Sequence, residues 1–131
     1  MNDNIEELIV KNFFIKQKRE RGIYELSSSK KRRNFIWKLS QDIIMNTKTH
    51  RISNNLSSYK DIEKILLNIG APKECYVMSI NQEIDGQILP LNLALSKIIG
   101  LGPALISCIH GKLAYLECEQ SFGAPDRFIL Y

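Results

Sequence analysis

The stretch "SCIHGKLAYLECE", residues 107–119, decides how this chain is read. It places two cysteines, a histidine, a glycine and two glutamates within thirteen positions, which suits either a reactive site or a β-hairpin. As a hairpin, His110-Gly111 is a two-residue turn, Ile109 faces Lys112, and alternate side chains share a face. One face then collects Leu105, Ser107, Ile109, Ala114, Leu116 and Cys118. The other collects Ala104, Ile106, Cys108, Leu113, Tyr115, Glu117 and Glu119. In this register Cys108 and Cys118 diverge and cannot meet on one metal. A Cys108–His110 dyad is also poorly placed, because i and i+2 neighbours on a strand lie about 6.5 Å apart. His110 takes a turn position, where histidine is among the residues enriched at positive φ. The stretch reads as hairpin core.

Working outward, "RFILY" (127–131) supplies a last strand and "CYVMSI" (75–80) an earlier, buried one, while "EIDGQIL" (83–89) carries an Asp-Gly turn signal. Pro90 suits the first turn of a helix over about 91–99, closed by Gly100. Before these, Ser58 with Asp61 three residues on starts a helix whose stripe is Tyr59, Ile62, Ile65, Leu66 and Ile69, and Gly70 ends it. In the first third, Asp3 and Glu6 resemble a capping box, Ile5, Leu8, Ile9 and Phe13 form a stripe widened by Val10 and Phe14, and Gly22 is a plausible stop. "LIVKNFFI" is also β-prone. "KKRRNFIWKLSQDII" (30–44) spaces Phe35, Leu39 and Ile43 for a helix capped at Ser28 or Ser29, and 46–56 reads as a polar loop.

Helices early and antiparallel strands late make an α+β pattern. The expectation is one domain over 1–131: a basic helical third (1–56) and an α+β core (57–131). Three or four helices would pack on an antiparallel sheet of about four strands, at 75–80, 104–109, 112–118 and 127–131.

Composition narrows the function classes. At 131 residues, 44% hydrophobic and 24% charged, the chain can bury a core and is not disordered throughout. No apolar run reaches the roughly 18–20 residues that span a membrane. The acidic start "MNDNIEEL" lacks the basic opening of a signal peptide. Three cysteines without a CxxC pair suit reduced core thiols. A cytoplasmic protein without membrane, metal or cofactor is expected. The net charge of +4 is unevenly spread: residues 16–38 hold nine Lys/Arg against Glu20 and Glu25, so the remainder is acidic.

Two surface candidates remain. Tyr115, Glu117 and Glu119 share a strand face, with Asp126 across a short loop. They form either a solvated strand end or an acidic–aromatic patch suited to a basic protein surface. Lys30, Lys31, Arg32 and Arg33, with Phe35 and Trp37 close behind, form either a solvated helix face or a nucleic-acid contact, since cations bind phosphate and aromatics stack on bases. "GLG" (100–102) lacks a phosphate-loop frame and His50 stands alone in sequence. No hydrolase or zinc motif is present, so no enzyme is expected.

The succession "IEKILLNIGAP", "CYVMSINQEIDGQILPLNLAL", "ISCIHGKLAYLECE" and "DRFIL" resembles the immunity proteins of bacterial contact-dependent growth inhibition systems, the CdiI family. The resemblance covers roughly residues 58–131. It is carried by Asp85-Gly86 before an apolar helix, by Gly111-Lys112-Leu113-Ala114-Tyr115, and by Arg127-Phe128-Ile129-Leu130. It implies a small cytoplasmic protein without activity of its own that binds the C-terminal toxin domain of a cognate effector, often a nuclease. Such proteins vary too much for interface residues to transfer. Charge complementarity to a basic toxin points instead to Glu83, Asp85, Glu117, Glu119 and Asp126, with Tyr115 as an anchor. The basic first third departs from the acidic character such a partner favours.

Overall fold

Both faces of the central sheet are covered, each by its own hydrophobic core. The computed structural model describes residues 1–120 and 123–131. Its sheet has six strands, all antiparallel: β1 (Thr49–Arg51), β2 (Glu74–Ser79), β3 (Ile88–Pro90), β4 (Ala104–Ile109), β5 (Leu113–Glu117) and β6 (Arg127–Leu130), in the order β1-β6-β5-β4-β2-β3. Helices α4 (Tyr59–Ile69) and α5 (Leu91–Ile98) cover one face. The opposite face is covered by α1 (Asp3–Phe13), α2 (Lys16–Ser27) and α3 (Arg32–Trp37).

The hairpin that anchored the reading is present in the expected register. Ala104 pairs with Glu117, Leu105 with Leu116, Ile106 with Tyr115 and Ser107 with Ala114. Ile106, Cys108, Leu113 and Tyr115 enter the α4/α5 core, while Leu105, Ala114, Leu116 and Cys118 enter the α1–α3 core, so the two cysteines do diverge. The tip differs. A bulge beside Cys108 pairs Ile109 with Leu113 rather than Lys112. The Lys112 amide closes the turn onto the Ile109 carbonyl at 2.8 Å. Gly111, not His110, takes the positive φ of 78°, which costs glycine nothing sterically.

The α+β class and single domain stand, with five α-helices and two additional short edge strands among the described residues. The polar loop expected over 46–56 contributes β1, which lines β6 at the sheet edge. An edge strand of three residues needs no hydrophobic alternation, so the sequence pattern conceals it. β3 arises by the turn at Asp85-Gly86, as the Asp-Gly signal indicated. The first helix does not run to Gly22. Phe14 and Ile15 turn extended, Phe14 bridges Ile44, and the Met45 and Ile15 amides bond the Phe13 and Ile43 carbonyls at 2.8 and 2.9 Å. The β-prone "FFI" thus breaks the helix in two. Gly22 instead lies inside α2, where a Cβ would sit 3.1 Å from the Phe14 ring, so its bareness lets α2 close on that ring. Helix α3 stops at Trp37, and Leu39 reaches the core from outside it.

Helix α4 matches its signals most closely. Ser58 Oγ accepts from the Asp61 amide at 3.2 Å, and Gly70 ends the helix at φ 116°. Its buried stripe is narrower than expected: Ile62 and Leu66 are buried and Ile65 half-buried, whereas Tyr59 and Ile69 lie at the surface.

Candidate functional site

The chemically rich residues assemble into two buried ion clusters. Arg32, the third cation of the "KKRR" run, is buried, unlike its neighbours. Its Nε and Nη2 donate to Asp85 at 2.7 and 2.9 Å, and its Nη1 and Nη2 donate to Glu6 at 2.6 and 2.7 Å. The second Nη1 hydrogen goes to the Leu26 carbonyl at 3.0 Å. All five guanidinium hydrogens are thereby used. Tyr76 OH donates to Glu6 at 2.5 Å, and the Ser79 amide donates to Asp85 at 3.1 Å. Burial alone would lower the Arg32 pKa, but the hydrogen bonds to Asp85 and Glu6 outweigh it and hold the guanidinium above its ordinary value. Burial, helped by Glu6, pushes the Tyr76 hydroxyl up as well. The cluster ties α1, α3, β2 and the 80–87 turn together.

The second cluster contains two residues expected at a partner surface. Tyr115 and Glu117 do share a strand face, but that face lies under α5 and both are fully buried. Tyr115 OH and Arg127 Nε donate to Glu117 Oε1 at 2.8 and 2.9 Å, and the Gly100 amide donates to Oε2 at 2.8 Å. Burial first, then the charge of Glu117, raises the Tyr115 pKa. Neither residue can meet a partner, and the expected acidic–aromatic patch does not exist as such. Asp85 is likewise committed, its carboxylate nearly as buried as the Arg32 side chain it holds.

Glu83 and Glu119 are exposed; Asp126 is half-exposed and takes Arg51 Nη1 at 2.7 Å. The register puts Ser79, Ala104, Glu117 and Arg127 in one row, so the loops bearing Glu83, Leu101, Glu119 and Asp126 emerge at the same end of the sheet. Leu101 there is 67% exposed, the most exposed large apolar side chain among the described residues. Lys30, Lys31 and Arg33 are exposed, and Trp37 is 37% exposed. Lys31 Nζ stands 5.1 Å over the Tyr24 ring, and Arg33 Nη1 donates to the Ile80 carbonyl at 2.6 Å. Arg32 cannot belong to a nucleic-acid contact because its donors are spent.

The cysteines are free and buried. Burial pushes the Cys75 and Cys108 thiols up to about 12 and Cys118 to about 11, far from a nucleophile's range. A pair that spacing did not reveal is Ser107 Oγ and His110 Nδ1, 2.6 Å apart. Ser107 is fully buried and faces α1, so no substrate reaches it; the contact fixes the hairpin tip. A strand residue bonding back from a bulged turn has no sequence signature. Among the described residues no group of three His, Cys, Asp or Glu is placed to hold a metal. A cavity of about 530 Å³ lies beside the Arg32 cluster and is lined by Met1, Ser28, Ser29, Arg33 and Gln82 among others. Among the described residues no helix is long and apolar enough to cross a membrane.

No family model matches the chain, and no match was found among curated proteins or solved structures.

Proposed function

We propose that this chain is an immunity protein that binds the C-terminal toxin domain of a contact-dependent growth inhibition effector one to one and neutralises it in the cytoplasm, without catalysis of its own. The resemblance over residues 58–131 motivates the reading. The observation that carries it is the loop end of the sheet, from which the loops bearing exposed Leu101, Glu83 and Glu119 emerge, with Asp126 there paired to Arg51. An exposed apolar anchor with an acidic rim suits a basic partner surface, as around a nuclease cleft. Cys108 and Cys118 lie inside the fold with Tyr115 and Glu117, and exposed His110 bonds Ser107 at the hairpin tip. The site therefore moves from the strand face of Tyr115 and Glu117 to the loops beyond it.

The test is growth rescue. A toxin domain encoded beside this chain is induced with and without it; growth with the native chain and arrest with Leu101→Asp supports the reading. Full toxicity despite abundant native chain contradicts it.

A further inference from the structure

A second surface lies on α2, α3 and the segment that follows α3. Lys18 and Arg21 on α2 and Lys38 after α3 line one cavity of about 230 Å³, with Asn34 beside them and Phe35 and Ile43 as apolar floor. Lys18, Arg21 and Lys38 are exposed. The single carboxylate in the lining, Glu25, is engaged by Arg21 Nε at 3.2 Å, so the groove keeps a net positive charge. Its position is fixed by packing: Phe35 stacks on Phe14 with ring centroids 6.0 Å apart, and Gly22 lets α2 approach both rings.

We propose that this groove binds the phosphate backbone of single-stranded nucleic acid. Cations ringing an aromatic-floored groove, with a side-chain amide beside them, form the combination that tracks such a strand: charge for phosphates, ring for sugar or base edges, amide for base hydrogen bonds. An acidic protein segment would match the charge but make no use of the aromatic floor. The cation set differs from the "KKRR" run, since Arg32 is buried and Arg33 is turned onto Ile80. The inference does not rest on the immunity reading.

The experiment uses the full chain and a fluorescein-labelled single-stranded oligonucleotide of about a dozen nucleotides, as DNA and as RNA, followed by anisotropy across a salt series. A Lys18→Gln, Arg21→Gln, Lys38→Gln triple variant is compared with Lys60→Gln, Lys64→Gln, Lys97→Gln. The control removes equal charge from exposed positions on α4 and α5, across the sheet. The groove variant is expected to bind at least about tenfold more weakly and to flatten the log–log salt slope by about 2, while the control changes neither much. The proposal is overturned by absence of binding at low salt, by equal loss in both variants, or by displacement with a polyglutamate peptide as readily as with unlabelled oligonucleotide.

Discussion

Arg32 and Arg33 are adjacent in the chain and opposite in circumstance. Arg33 is exposed, whereas Arg32 gives every guanidinium hydrogen to Glu6, Asp85 and Leu26. A run of four cations does not disclose which one is buried, because its two carboxylates lie 26 and 53 residues away. The same holds for Glu117, whose pairing with Tyr115 two residues away was foreshadowed by strand alternation, but whose burial was not. Removing Arg32 leaves two buried carboxylates unpaired. Arg32→Leu is therefore expected to cost about 3–5 kcal/mol in urea unfolding, where the same change at exposed Arg33 costs under about 1 kcal/mol. His110 offers a finer check. Burial lowers its pKa, so as pH falls through the ordinary 6.5 the unfolded chain takes up its proton before the folded one. Stability thus falls with pH below that point and is unaffected well above it. An NMR titration should give a His110 midpoint below 6.5, and His110→Asn should remove its share of the acid-side loss.

At the scale of elements, local chemistry was legible where it was self-contained. Helix α4 begins with the Ser58 cap and ends at left-handed Gly70, both readable from neighbouring residues. The core hairpin was equally readable, since alternation fixes faces and the turn fixes register. Ser58→Ala is expected to lower stability by about 1 kcal/mol, seen as a lower melting temperature, with the sheet unchanged. What failed to show were elements made by distant partners. The break at Phe14-Ile15 is held by Ile43, Ile44 and Met45, and β1 exists because β6 supplies its pairing edge. Neither has a local signature, so periodicity continued the first helix and left 46–56 as loop. Helix α3 ends early for a related reason: Leu39 joins the core without needing helical geometry.

At the scale of the molecule, the arrangement of layers decides which residues face a partner. Helices on one face alone would have left Tyr115 and Glu117 open or Leu105 and Leu116 unburied; with helices on both, the strands are sealed and only sheet ends and outer helix faces remain. The charge split seen in the sequence is then spatial. The surplus of cations lies on α2 and the segment around α3, while Glu83, Glu119 and Asp126 emerge with Leu101 at the sheet end. Of the candidate acidic residues, Glu117 and Asp85 are committed to buried ion clusters while Glu83, Glu119 and Asp126 reach the surface, a division that depends on how the first third folds back over the sheet. The proposed neutralising role stands or falls on that sheet end. The most direct measurement is titration calorimetry of the purified chain into the toxin domain encoded beside it. The account predicts one-to-one binding in the nanomolar range, weakened at least about tenfold by Leu101→Asp or by Glu83→Lys with Glu119→Lys, and unchanged by Lys60→Gln. Absence of binding by the native chain, or variants at the sheet end that bind as tightly as it does, would contradict it.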